Sequence, residues 1–535
     1  MFGMDILTGP LATTLLIGLT TVILLYWYSI KSFDYWKKYN IPYVKPIPLL
    51  GNALDLFKKP LHEIEYERYF KYGPLYGYFE GSKPILSVAD PAVLRDIFVK
   101  DFAAFPSRRI LETGNEVVDK MMSVLKGGEE WKRIRAIVTP TFTTGKIKRM
   151  LSIFKDCSNT LVKNFRTAAA EGTAVDAKRL YGAFTMDIIA SSAFSTKIDS
   201  HNDPENKFVA MAKKVFSQQL NWRMLLFFTC PWLLKLFKIN PLPEDAVNFF
   251  KDATLQIMEE RKRTGQVRND FLQLLMDTAK EVEDDLKEEE PKGGDIASNY
   301  GGQEDINYHI FKSVTSKSLS INELVAQCVI FFIAGYDTTA STLSLASYFL
   351  ALNPSVQEKV RAEVDEALKH TDGELTYESL KSMRYLDNVI SETLRIYPPL
   401  SRLDRTADAD YTFSSTGITI RKGNLISIPV HGIHRDPNIY PEPEKFDPDR
   451  FTPEEKEKRD PYVYLPFGAG PRNCVAMRFA LIEVKVCLAH VIANFIIKRC
   501  PETKIPLEFG LGQGLIQPQG IILQMDIRKD SLLTK

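Results

Sequence analysis

Cysteine is scarce in this chain. Its 535 residues hold six, Cys157, Cys230, Cys328, Cys474, Cys487 and Cys500, and no two stand at CxxC spacing. That spacing excludes a disulfide framework and a four-thiolate zinc knuckle. Scattered free thiols, several of them in apolar runs, suit a reducing compartment such as the cytosol or its membrane face. Excess charge is lacking as well: 68 Lys and Arg stand against 67 Asp and Glu, a formal net charge of +1. No basic stripe remains to bind nucleic acid. There is no repeat at a period of about 20–50 residues, which excludes a solenoid or propeller. Strand-like runs are few and short, at Leu75–Phe79, Ile85–Val88, Ile418–Ile420 and Leu425–Ile428, so a doubly wound sheet is excluded too.

Charge is missing altogether between Ile6 and Ile30. That run exceeds the roughly 20 apolar residues needed to cross a bilayer. Tyr26, Trp27 and Tyr28 close it with the aromatic belt of a membrane boundary, and Lys31, Lys37 and Lys38 follow while only Asp5 precedes. The basic flank places the body on the cytosolic side. A cleaved signal peptide fits less well, because no basic residue precedes the run and no small-x-small cleavage site follows. The expected plan is a membrane anchor over 1–31, a proline-rich connector over 32–52 and one large domain over 53–535. Pro42, Pro46 and Pro48 keep the connector extended.

Helical periodicity dominates the body, at Glu129–Ile137, Ile147–Thr167, Ala246–Arg263, Leu319–Leu352, Ser355–Leu368, Tyr385–Ile396 and Val475–Ile497. The fold class is mainly α with small β-sheets. Glu281–Asn307 is rich in Asp, Glu, Lys and Gly and reads as a solvated surface loop. Met224–Phe237 is too short to span a bilayer and reads either as buried core or as a patch that touches the membrane.

Ser320 and Glu323 stand at capping-box spacing at the start of a long apolar helix that stops before Pro354. Its middle, Ala334-Gly335-Tyr336-Asp337-Thr338-Thr339, breaks the apolar pattern. A buried unpaired acid is costly, and the Thr338 hydroxyl can bond the carbonyl four residues back. Two readings stand: a proton-delivery pair, with Asp337 as relay and Thr338 as donor, or a polar contact between helices. Glu392 and Arg395, at i,i+3 before Pro398, can pair on one helix face, and Arg450 in FDPDRF can join them as a structural network.

The segment PFGAGPRNCVA, Pro466–Ala476, sets Cys474 in a glycine-rich turn just before an apolar helix. Gly468 and Gly470 let a flat ligand approach the backbone, and a helix N-terminus favours a thiolate. With no second Cys or His nearby, a lone thiolate is a poor zinc site but suits the axial position of a haem iron. Haem propionates need cations. The candidates are Arg135, on one helix face with Trp131, then Arg405, Arg472 and Arg108, with Phe467 at the start of the turn.

In this order AGYDTT, ETLR, PDRF and FGAGPRNC resemble the cytochrome P-450 haem-thiolate monooxygenases over essentially the whole chain. ELVAQCVIFFIAGYDTT, EEWKRIRAIVTPTFTTGKIKRM and GIHRDP look like the animal group of 3A-type drug-metabolising enzymes and thromboxane synthase. Ala476 replaces the usual glycine two residues after the ligand. The resemblance implies the cytochrome P-450 fold, haem b with Cys474 as axial ligand, and an endoplasmic reticulum anchor. It also implies O2 with electrons from NADPH through cytochrome P-450 reductase, cytochrome b5 as an optional second donor, and a lipophilic substrate. Lys132 and Arg133 are expected to face the reductase. Other readings are an isomerase of lipid peroxides, which needs neither reductase nor proton relay, and a membrane-tethered haem sensor without turnover.

Overall fold

The computed structural model describes residues 10–109, 113–203, 205–216, 222–237, 239–240, 242–268, 270–278, 318–511 and 514–533. The charged segment Glu281–Asn307 lies outside the described residues. Helix α1, Pro10–Ile30, is apolar and exposed along most of its length. A burial gradient follows at once. Ser29 and Trp36 are buried, and the Trp36 indole donates to the Tyr78 carbonyl at 3.3 Å. The connector is therefore part of the body. Pro42 and Val44 bond the backbone of Gly77, whose missing side chain leaves the space the Trp36 ring fills.

A four-stranded sheet receives that segment. Its strands are β1 (Leu75–Glu80), β2 (Lys83–Val88), β3 (Leu403–Thr406) and β4 (Leu425–Ile428), in the order β1-β2-β4-β3. The β2–β4 pair is parallel and the others antiparallel. This topology brings β3, and with it Arg405, into the same sheet as the N-terminal strands and beside Ser107, which bridges Thr406.

Helices form the rest of the core: α2 (Glu129–Val138), α3 (Thr144–Ala170), α4 (Ala177–Phe194), α5 (Ile321–Leu352), α6 (Arg384–Ile396) and α7 (Met477–Asn494). Helix α5 is the spine. Its capping box forms as expected: Glu323 N–H donates to Ser320 Oγ at 3.2 Å and Ser320 N–H donates to Glu323 Oε2 at 2.8 Å. It packs most extensively on α4. That helix escapes periodicity because it is buried on nearly every face. Helix α7 is shorter than Val475–Ile497. Its end yields to the strand Phe495–Lys498, which pairs antiparallel with Ile522–Ile527 because Phe-Ile-Ile packs well on a pleated surface. The Met224–Phe237 stretch makes two short helices, and Leu236 and Phe237 stand exposed.

Candidate active site

The cysteine turn is built by local backbone rules. Gly468 and Gly470 have φ of +72° and +69°, a region that favours glycine. A side chain on Gly470 would put Cβ 1.9 Å from the Phe98 carbonyl oxygen, so only glycine fits there. Cys474 N–H donates to the Phe467 carbonyl at 2.9 Å, which closes the loop. The cysteine lies three residues before Met477, the first of helix α7, and its sulfur accepts from Ala476 N–H. Burial pushes the thiol up, while Ala476 N–H, Arg135 and Arg108 pull it down.

Four guanidinium groups gather around this turn. Arg135 donates to the Asn473 carbonyl at 3.0 Å and to Asn473 Oδ1 at 2.8 Å. Arg108 donates to the Arg472 carbonyl at 2.7 Å. Arg472 donates to the carbonyls of Pro106, Met122 and Leu125 and lies 4.1 Å from the centre of the Trp131 ring. Arg405 bonds the Asp404 carbonyl and stacks on Phe98. Among the described residues none of the four pairs with a carboxylate, and Nε of Arg135 and of Arg405 is buried without a partner. Burial first, and repulsion within the group second, depresses Arg472 to about 8 and Arg405 to about 9. Burial likewise takes Arg135 to about 10. Guanidinium stays protonated under such pressure, so the site gathers buried positive charge that an anionic group would offset. A dianionic flat ligand whose acidic groups meet these arginines, with its centre at Cys474, fits. The residues suit haem.

Helix α5 supplies the facing wall. Ala334 is exposed, and Ile330, Phe331, Gly335 and Thr338 around it are half-buried, in the middle of a helix that is mostly buried. Phe142 links this stripe to the cysteine side: its ring stacks on Phe331 at 5.1 Å and meets Phe479 edge-on at 6.2 Å. Thr338 Oγ1 donates to the Ala334 carbonyl at 2.8 Å, as the spacing suggested. Asp337 turns the other way. It is buried and pairs with Lys178 Nζ at 2.7 Å, and it accepts from Ser341 Oγ and from Gln517. Both readings of this motif thus have a physical basis, an interhelical contact for Asp337 and an accessible hydroxyl for Thr338. Gly335 lies against helix α4. A Cβ there would meet Ile189 of α4, so this glycine permits close helix packing.

Glu392 and Arg395 are fully buried and joined by two hydrogen bonds, 2.6 and 2.9 Å. Arg450 Nε lies 3.4 Å from Glu392 Oε1, and Asp447 N–H donates to the same oxygen. Burial raises Glu392 while Arg395 opposes the rise. Arg133 is held by Glu323 and the Ser318 carbonyl, and Lys132 pairs at 2.8 Å with the exposed Glu129. Sequence reasoning missed Lys178 and Gln517, whose partners lie 159 and 180 positions away.

The sequence profile described as Cytochrome P450 matches residues 41–301 and 303–525. The chain is 38% identical to cytochrome P450 3A5 of Homo sapiens over 539 residues, 99% of each chain. It is 37% identical to cytochrome P450 3A13 of Mus musculus over 537 residues, 99% of this chain and 100% of that one. With the cysteine turn, the arginine cluster and the buried Glu–Arg pair in place, these matches establish that the chain belongs to the cytochrome P450 family.

Proposed function

We propose that the protein is a membrane-anchored monooxygenase that inserts one oxygen atom of O2 into a lipophilic small molecule, a xenobiotic, steroid or lipid. Its electrons come from NADPH through cytochrome P-450 reductase. The observation that carries this reading is Cys474, alone in its glycine turn and ringed by four arginines that pair with no carboxylate among the described residues. Haem b bound there supplies the oxygen chemistry. Cys474 would hold it, with Ala476 N–H directed at the sulfur. Arg108, Arg135, Arg405 and Arg472 hold its acidic edge, with Trp131 beneath Arg472.

The chain's other contributions follow from α5. Ile330, Phe331 and Ala334 present apolar surface to a substrate and exclude water from it. The Thr338 hydroxyl, parked on the Ala334 carbonyl, is free to rotate and donate. Asp337 serves as the relay on the Lys178 side, where the lysine is 19% exposed, and holds a proton there without touching Thr338. A single-pass endoplasmic reticulum anchor with the body on its cytosolic side, a reading supported by apolar α1, the lysines after it and the exposed Leu236 and Phe237, would hold the body against the bilayer in which such substrates dissolve.

The test is Cys474→Ser in the full chain. The wild type is expected to show the red-shifted Soret band of thiolate ligation when reduced under carbon monoxide, and to oxidise lipophilic compounds only with NADPH and reductase. The serine variant is expected to lose both. Wild-type pigment without that band, or turnover of a lipid peroxide with no need for NADPH, would sink the reading.

A further inference from the structure

His434 belongs to the GIHRDP segment and is fully buried. Both of its ring nitrogens are committed. Leu465 N–H lies 2.8 Å from Nε2, and the Arg395 carbonyl lies 3.2 Å from Nδ1. A backbone N–H only donates and a carbonyl only accepts, so the ring carries its proton on Nδ1 and offers Nε2 as a bare acceptor. The contact with Arg395 is reciprocal: the Arg395 guanidinium donates to the His434 carbonyl at 2.8 Å while the imidazole donates to the Arg395 carbonyl.

Leu465 is the start of the cysteine turn. Its carbonyl accepts from Gly468 N–H at 3.1 Å, and Phe467, two residues on, accepts from Cys474 N–H. Tyr464, beside Leu465, stacks on the His434 ring and donates to the Ser391 carbonyl of α6 at 2.8 Å. One imidazole thus stands between the buried Glu392–Arg395 pair and the loop that carries the sulfur.

We propose that His434 is a positioning residue that ties the cysteine turn to helix α6 and holds Cys474 in the geometry that keeps its sulfur on the iron. This rests on the haem-thiolate reading above.

The two hydrogen bonds are separable. In His434→Gln the side-chain amide reaches the place of Nε2, so its oxygen can still accept from Leu465. In His434→Asn the amide reaches only the place of Nδ1, so the bond to Arg395 survives and Leu465 N–H is left buried and unpaired. His434→Phe keeps the stacking on Tyr464 and neither bond. The readout is the fraction of reduced, carbon monoxide-bound full-length protein that keeps the thiolate Soret band during mild urea treatment. The Asn and Phe variants are expected to shift the ratio of thiolate to non-thiolate form by roughly tenfold, the effect of one unpaired buried N–H, while Gln, which loses only the bond to the Arg395 carbonyl, shifts it several-fold less. Equal behaviour of Asn and Gln, including equal loss of pigment, would overturn the proposal. A wild type without the thiolate band would instead overturn the haem-thiolate reading itself.

Discussion

Asp337 and Thr338 are neighbours in the chain, yet a helix separates them by about 100°, and the two side chains meet different surroundings. Thr338 lies on the accessible stripe, and Asp337 is held by Lys178, Ser341 and Gln517. If the acid relays protons, Asp337→Asn removes the relay and leaves the packing. NADPH-driven product formation is expected to fall about 100-fold, with far more NADPH consumed per product. Lys178→Met is expected to lower turnover and enlarge the solvent isotope effect. Turnover and coupling equal to wild type in both variants would reduce Asp337 to an interhelical contact. Glu483 makes a different case. It is buried in α7, its Oε1 has no partner, and burial raises its carboxyl well above the ordinary value. A raised acid is neutral when folded and ionises on unfolding, so its stability contribution is present at low pH and lost as pH rises above the unfolded value of 4.5. Stability relative to Glu483→Gln is thus expected to be independent of pH below that value and to fall above it by up to about 1.4 kcal/mol per pH unit. Urea midpoints of both proteins across the range check the slope, and parallel curves would show that Glu483 is ionised in the fold.

At the scale of elements, the same residue type serves two purposes. Gly470 faces a fixed backbone carbonyl and has positive φ, whereas Gly335 faces only the mobile end of Ile189. Gly470→Ala is expected to distort the cysteine turn and cost well over 1 kcal/mol, seen as lost haem. Gly335→Ala gains roughly 1 kcal/mol of helix propensity, which offsets the displacement of one methyl group, so its thermal midpoint is expected to stay close to wild type. A comparable loss of haem in both would contradict the distinction. The asymmetry also marks what the sequence carried. The capping box of α5, the strands β1, β2 and β4, the Glu392–Arg395 pair and the cysteine turn all rest on residues within a few positions of each other, where local rules act. Helix α4 was not legible, because a helix buried on nearly every side has no polar face to set a period. Partners brought together by the fold were not legible either. Lys178 lies 159 positions from Asp337, and His434 lies 39 from Arg395, so no spacing announces them.

For the whole molecule, the decisive junction is where the anchor enters the body. Ser32 Oγ donates to the Ser82 carbonyl at 2.5 Å, and Ser82 Oγ donates to the Ser29 carbonyl at 3.3 Å. Phe33 packs edge-on against Phe79 at 5.2 Å, and Tyr35 meets Trp36 in the same way at 4.8 Å. Trp36 is 1% exposed and fills the space above Gly77. The anchor can therefore be removed without loss only as far as the body has not begun to bury it. A chain lacking residues 2–27 is expected to bind less to membranes and to keep its haem and thermal midpoint. Trp36→Ala in the full chain is expected to cost about 3–5 kcal/mol, as for other buried tryptophans, and to lower the thermal midpoint although the anchor remains. Because α1 leaves the body through this packed junction, the same variant also frees the angle between them. In oriented bilayers the linear dichroism of bound haem is expected to show one defined tilt for the wild type and a broader distribution for Trp36→Ala. A variant with unchanged midpoint and unchanged dichroism would show that the connector is a loose tether and that Trp36 merely rests on the sheet.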